Sequence, residues 1–271
     1  MWKNKGEKMK DILVTGAYGG MGYATIKLLA NSGYRVFALD KRVQEAEENI
    51  IPIEADITSS ESVENAFELV KGYTESLCGI VHFAGVYMLD SLIEIEQEQF
   101  RRIFDINLNG VYLINKTFLP LLCKGSCILI TTSELAPLDP LPFTGIYAIT
   151  KGALDKYAYS LRMELQLLDI GVTVLRAGAV ETKMLGVSTN ALDRFCEKTK
   201  LYSCNATRFK KIVDSVEARC VPPERIAKKA ISIINKRKPK FAYAINRNPL
   251  LLLLNTLPKS MQLWVIKKIL K

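Results

Sequence analysis

A doubly wound α/β domain on a parallel β-sheet is the fold class that the sequence predicts. Two observations carry it. Short apolar runs such as Ile12-Leu13-Val14 and Cys127-Ile128-Leu129-Ile130 show no polar alternation, as strands covered on both faces should. These runs alternate with longer helix-patterned stretches over the first 180 residues. Strands are expected at 11–15, 35–40, 50–54, 79–84, 127–132, 172–177 and 241–244, with helices near 20–31, 60–71, 96–122, 146–168 and 223–236. Right-handed crossovers then bring the strand carboxyl ends to one edge, where ligands bind. Residues 183–222 break the rhythm and are helix-compatible. They are read as a lid over that edge, with a peripheral helix pair as the alternative. The whole chain, 1–271, is expected to form one domain, with helices on both sheet faces and a basic, apolar C-terminal helical extension at 245–271.

A composition of 49% hydrophobic and 24% charged residues is that of an ordinary globular chain long enough for a large core. The six cysteines form no Cys-x-x-Cys pair, and His82 is the single histidine, so no metal site is expected. Reduced thiols and a charged start, MWKNKGEKMK, point to a cytoplasmic protein without a signal peptide. The net charge of +9 is concentrated at one end. Residues 201–271 hold 16 basic and 3 acidic residues, so the remainder is slightly acidic.

The run Asp11-Ile-Leu-Val-Thr15 leads into Gly16-Ala-Tyr18-Gly-Gly20-Met21-Gly22. Strand, glycine-rich turn and helix in this order make a dinucleotide site of the Rossmann type. Glycine allows positive φ and close backbone approach, and a helix start offers free N–H groups to a pyrophosphate. Asp40 ends the second strand, 24 residues after Gly16. A carboxylate there accepts hydrogen bonds from ribose hydroxyls and repels an extra phosphate, which favours NAD over NADP. The neighbouring Lys41-Arg42 pulls the other way. Asp56 after the third strand can bond the adenine amino group, cap the next helix, or do both.

Alcohol–ketone chemistry needs a proton donor and acceptor at the reacting oxygen, and a tyrosine beside a cation can serve. Tyr147 and Lys151 are four residues apart on one helix face, but so are Tyr23/Lys27 and Tyr112/Lys116. Only the third pair follows polar residues at a strand end, Thr131, Thr132 and Ser133.

These motifs together resemble the short-chain dehydrogenase/reductase family, well over 10–182 and loosely beyond. The matching residues are Thr15-Gly16-x-x-x-Gly20-x-Gly22, Asp56, Asn107-Leu-Asn-Gly110, Ser133 and Tyr147-Ala-Ile-Thr-Lys151. The resemblance implies that Tyr147 is the general acid/base and that Lys151 lowers its pKa and holds the nicotinamide ribose. It implies that Ser133 bonds the substrate oxygen and that Asn107, at a helix kink, keeps a water linking Lys151 to solvent. Thr182 would meet the nicotinamide carboxamide. Cofactor contacts are expected at Gly16, Tyr18, Gly20, Met21, Gly22, Asp40, Asp56, Ile57, Ala84, Gly85, Tyr147, Lys151 and Thr182. A homo-oligomer, dimer or tetramer, is implied through the 96–122 and 146–168 helices. Three departures stand out. Phe83 replaces the asparagine of the usual Asn-Ala-Gly. Ala177-Gly178 replaces Pro-Gly, which predicts a looser hinge. The step from Ser133 to Tyr147 is 14 residues, one more than expected, so strict counting would put Glu134 in the serine's place.

The apolar, proline-rich stretch 134–143 suits a hydrophobic substrate such as a hydroxysteroid. The reading is therefore an NAD(P)-dependent oxidoreductase interconverting a secondary alcohol and a ketone. The alternatives are an NADPH-dependent 3-oxoacyl-carrier-protein-type reductase and a non-catalytic dinucleotide sensor or membrane-associated scaffold. The C-terminal extension either packs over the substrate mouth or a second subunit, or lies on an anionic membrane as a basic amphipathic helix. The sequence has no nucleic-acid-binding motif.

Overall fold

Ile12, Leu13 and Val14 of β1 (Lys10–Thr15) are all fully buried, so this strand meets core on both faces. The computed structural model describes residues 10–217 and 220–271, and the side chains of all of these except 183–190 and 214–217. Around β1 stand β2 (Tyr34–Asp40), β3 (Ile50–Glu54), β4 (Leu77–His82), β5 (Leu122–Ser133), β6 (Gly171–Ala177) and β7 (Ala242–Ile245). Their order is β3-β2-β1-β4-β5-β6-β7, and every pairing is parallel. The winding reverses between β1 and β4, which opens a crevice at their carboxyl ends.

Alternate residues of β1 feed two cores. Leu13 joins a cluster with Val63, Val111, Ile114 and Leu154 of α2 (Ser60–Tyr73), α4 (Gly110–Phe118) and α5 (Gly145–Leu165). Ile12 and Val14 join Ile26, Leu29, Ile226 and Ile233 of α1 (Gly20–Asn31) and α8 (Pro223–Ile234) on the other face. This is the expected doubly wound sheet.

The largest departure lies in the helix expected at 96–122. It is interrupted: α3 (Gln97–Phe104) runs into a π turn at Asp105–Asn109 before α4 begins. The Gly110 N–H bonds the Asp105 carbonyl five residues back. β4 stops at His82, two residues short of the expected end, because the chain leaves the sheet to floor the crevice. β5 begins five residues earlier than expected.

The 183–222 stretch forms two helices, α6 (Lys183–Lys198) and α7 (Ser203–Glu217), with residues 218 and 219 outside the described residues. Leu192, Phe195, Ala206 and Phe209 pack with Leu89 and Leu270 in a third apolar cluster. The Glu94 carboxylate fastens the α6–α7 turn by accepting hydrogen bonds from Thr199 Oγ1 (2.7 Å) and the Lys200 N–H (2.8 Å). The extension forms α9 (Pro249–Thr256) and α10 (Lys259–Leu270). No helix among the described residues is long and apolar enough to cross a membrane.

His82 ends β4 in full burial, with Nε2 2.9 Å from Asn115 Oδ1 and Nδ1 3.4 Å from Thr15 Oγ1. Burial pushes its pKa down to about 4. The folded protein therefore holds a neutral imidazole, whereas the unfolded chain takes up a proton near pH 6.5. Stability from this site is complete above roughly pH 6.5 and falls as acidity rises, by about 2 kcal/mol at pH 5. Urea midpoints measured from pH 7 to 5 should decline accordingly, and His82→Asn should remove that slope. A level wild-type midpoint would refute it.

Candidate active site

The glycine turn is shaped by contacts that admit no side chain. Gly16 has φ +65°, and a Cβ on it would lie 2.4 Å from the Ala84 backbone nitrogen. A Cβ on Gly22 would lie 2.1 Å from the Gly16 carbonyl oxygen. α1 starts here with no side-chain cap and no acidic residue in its first turn, so its N–H groups face the crevice uncompensated. Thr182, just before α6, packs against Gly20 and makes no capping hydrogen bond.

A cleft of about 1670 Å³ runs from this turn along the carboxyl ends of β1, β2 and β4. Every expected cofactor-contacting residue except Tyr147 and Lys151 lines it. At one end, Asp40 accepts hydrogen bonds from the N–H groups of Tyr18 (2.9 Å) and Lys41 (2.7 Å). Lys41 Nζ lies 2.6 Å from Asp56 Oδ2. That cation, with the Thr58 hydroxyl and N–H, holds the Asp56 carboxyl down to about 2. Asp56 does not cap α2; Ser59 does, accepting from the Ser62 N–H at 3.2 Å.

The inner end meets α5. A Cβ on Gly85 would lie 3.2 Å from Asn107 Oδ1 and 3.4 Å from Lys151 Nζ. Lys151 is buried, donates to the Thr131 carbonyl at 3.4 Å, and sits 5.7 Å from the Tyr147 ring centroid. The two rival pairs are surface features: Tyr23 and Tyr112 are exposed, and Lys27 is paired with Glu47. α5 is pinned to β6 by Asp155, which accepts two hydrogen bonds from Arg176 at 3.0 and 2.6 Å.

Asn107 lies in the π turn, fully buried, and is no helix cap. Its Oδ1 accepts from the Val86 N–H at 2.8 Å, and its Nδ2 donates to the Val86 carbonyl at 3.0 Å and to Thr150 Oγ1 at 3.2 Å. Thr150 and Val86 were not among the expected residues. Tyr87 was also missed; its ring stacks obliquely on Tyr147 with centroids 4.8 Å apart. Its place just past β4 put it at the ligand edge, but no spacing rule marked it.

Ser133 is the last residue of β5; its side chain accepts from the Leu135 N–H at 3.2 Å and lies near enough to Tyr147 to pull that pKa down. Glu134 turns the other way: Oε2 accepts from the Asn248 N–H at 2.6 Å, and Oε1 lies beside Gly178. Burial raises the Glu134 pKa, opposed by that bond and by Arg247. Burial also raises the Tyr147 pKa, helped by Tyr87 and only partly offset by Ser133. Burial pushes Lys151 down to about 8. The turn after β6, where Ala177-Gly178 replaces Pro-Gly, is tied down rather than loose. Gly178 N–H bonds the Ile245 carbonyl (2.9 Å), Glu181 N–H the Val221 carbonyl (2.9 Å), and Asn246 Nδ2 the Ala179 carbonyl (2.9 Å). Phe83 is buried in the α1–α8 core.

Residues 10–193 match the family model described as short chain dehydrogenase. The chain belongs to the short-chain dehydrogenase family. Among its relatives in this family, estradiol 17-beta-dehydrogenase 2 of Mus musculus is 33% identical over 189 residues, 65% of this chain and 50% of that protein. The chain thus spans half the length of that relative. An oxidoreductase of Escherichia coli, YbbO, is 28% identical over 243 residues, 87% of this chain and 85% of the relative. A short chain dehydrogenase family structure from Francisella tularensis superposes with TM-score 0.74 at 24% identity, covering 88% of this chain and 97% of its own. Short-chain dehydrogenases are oxidoreductases that use NAD or NADP and act on small molecules, and they commonly form oligomers. In this member α4 and α5 expose Tyr112, Ile149, Tyr159 and Met163.

Ser133→Ala should lower turnover by about 10²-fold or more, as loss of a donor at a reacting oxygen does. Glu134→Gln, which keeps an acceptor for Asn248, should leave it within a factor of about two. Steady-state kinetics showing the reverse order would place Glu134 at the reacting oxygen.

Proposed function

We propose that this short-chain dehydrogenase is an NAD-dependent oxidoreductase that interconverts a secondary alcohol and a ketone on a bulky hydrophobic substrate, of the hydroxysteroid class. The observation that carries the reading is the meeting of half-buried Tyr147 and buried Lys151, whose Nζ lies 5.7 Å from the tyrosine ring centroid, beside Ser133 and beside Gly85 at the inner end of the cleft. The cleft fits a dinucleotide: the tight glycine turn and the open start of α1 line it, and it reaches from Asp40 and Asp56 to Gly85, which lies beside Lys151 of α5. Gly16, Gly20, Gly22 and Thr182 would hold the pyrophosphate region, Asp40 the adenosine ribose, Asp56 and Ile57 the adenine, and Lys151 the nicotinamide ribose. When bound, the nicotinamide supplies or accepts the hydride.

The chain's own groups handle the proton. Tyr147, kept protonated by burial, donates its phenolic proton to the carbonyl oxygen during reduction and takes it back from the alcohol during oxidation. Ser133 bonds the same oxygen and fixes its direction. Lys151, poised near neutrality, eases charge onto the phenol oxygen, and Asn107 positions it by holding the Val86 and Thr150 walls around it. Tyr87, Leu141 and Phe143 with α6 and α7 supply an apolar wall, in which Phe143 contacts the Phe195 ring at 4.7 Å. That wall supports a hydrophobic substrate and a lid role for α6–α7. The estradiol-acting relative agrees with it.

Two tests follow. A screen of hydroxysteroids and other secondary alcohols, monitored by absorbance of the reduced cofactor, should find turnover that Tyr147→Phe lowers by about 10²–10⁴-fold. Equal turnover in the variant would end the proposal. Lys41 is drawn onto Asp56, and Asp40 faces the ribose position, so NADH should bind at least about tenfold tighter than NADPH. Asp40→Ser should narrow that gap; fluorescence titration in which NADPH binds tighter to the wild type would favour a carrier-type reductase instead.

A further inference from the structure

The C-terminal extension has its burial inverted. In α10 the polar Gln262 is buried while Leu263 and Trp264 are 69% and 62% exposed. One stripe at four-residue spacing, Gln262, Ile266 and Leu270, faces the protein: Leu270 and Ile266 join the α6–α7 cluster, and Gln262 donates to the Leu257 carbonyl at 2.9 Å. The remaining faces of α10 expose Met261 and Ile269 as well, and α9, with five leucines, buries none and exposes Leu250 and Leu253. A helix that only sealed the fold would turn these side chains inward.

The charges carried by the extension itself are of one sign. Residues 245–271 contain Arg247, Lys259, Lys267, Lys268 and Lys271 and no acidic residue. A second copy of the same surface would bring like charges together. A nucleic acid would offer phosphates but nothing for six exposed apolar side chains. An anionic lipid surface offers both, phosphate for the lysines and an acyl boundary for Leu, Met, Ile and Trp. The helices have 8 and 12 residues, too short to span a bilayer and long enough to lie in its interface.

The surface is held rigidly. The Asn255 side chain accepts from the Asp139 N–H at 2.7 Å, Lys259 pairs with Asp139, and Glu134 accepts from the Asn248 N–H. The extension is thus fixed to the 134–143 loop that walls the substrate site.

We propose that the exposed face of α9 and α10 docks the protein peripherally on an anionic lipid bilayer. This stands apart from the reaction proposed above, since binding is read without turnover. The full-length protein should co-sediment at low salt with mixed phosphatidylcholine/phosphatidylglycerol vesicles and much less with phosphatidylcholine alone. The chain has two tryptophans, so a Trp2→Phe background leaves Trp264 as the sole emitter, and its emission should shift to the blue on adding the mixed vesicles. Lys267→Gln with Lys268→Gln should lower vesicle affinity on the order of 30-fold. Leu263→Ser with Trp264→Ser should abolish sedimentation while thermal midpoint and oxidoreductase activity stay unchanged, because these side chains are exposed. No binding to anionic vesicles, or undiminished binding by the double serine variant, overturns the proposal. So does a concentration-dependent blue shift without vesicles that Leu263→Ser alone, with Trp264 kept, diminishes, which would make the occupant a second copy.

Discussion

The amide side chain of Asn107 holds together three pieces of chain that no strand pairing joins. It takes both backbone polar groups of Val86, just past β4, and reaches Thr150 on α5 from the π turn that carries it. Asn107 and Thr150 are themselves shut off from water, and an apolar residue at 107 would take away the partner of both Val86 backbone groups at once. The π turn is what allows this. One extra residue in the helix lets Ile103 before it and Val111 after it both stay in the core while Asn107 turns toward the crevice. The floor at Gly85 and the tyrosine-bearing face of α5 take their relative position from this clamp.

Within that frame the site keeps charge at its margins. Asp155–Arg176 and Lys41–Asp56 are formal ion pairs, and both lie to the side of the tyrosine. At the centre, burial disfavours the phenolate of Tyr147 and the ammonium of Lys151 alike. Such a site rests with its proton on the tyrosine. Moving that proton becomes easy only when a reacting oxygen and a nearby positive charge share the same dry space.

The strands of the sheet were legible because parallel strands buried on both faces read as continuous apolar runs, and the β1–Gly16–α1 junction because only glycine fits there. The Tyr147–Lys151 pair was legible by its place after Ser133, not by spacing, which two surface pairs share. Between Ser133 and Glu134, chemistry favoured the serine, because a carboxylate beside a developing negative charge is costly, and in the structure Glu134 points to Asn248. What stayed hidden depends on contacts between distant segments. Hydrophobic periodicity carries no mark of a π turn, so 96–122 read as one helix. Tyr87 and Thr150 gain their places from Tyr147 and Asn107, which lie 60 and 43 residues away along the chain. The hinge after β6 looked loose because proline was missing, yet Asn246 and Val221 bind it from both sides.

The Glu134 carboxylate links the residue next to Ser133 with the first turn of α9, more than a hundred positions onward. The two chain ends are therefore unequal as handles. Trimming the chain before residue 248, or pulling on it through a bulky C-terminal tag, would strip a half-buried carboxylate of its backbone donor one residue from the serine. Its charge would then have to be quenched by water or a proton inside the substrate mouth. The N-terminal side, where β1 starts at the amino ends of the strands, has no such line of contact to the tyrosine among the described residues.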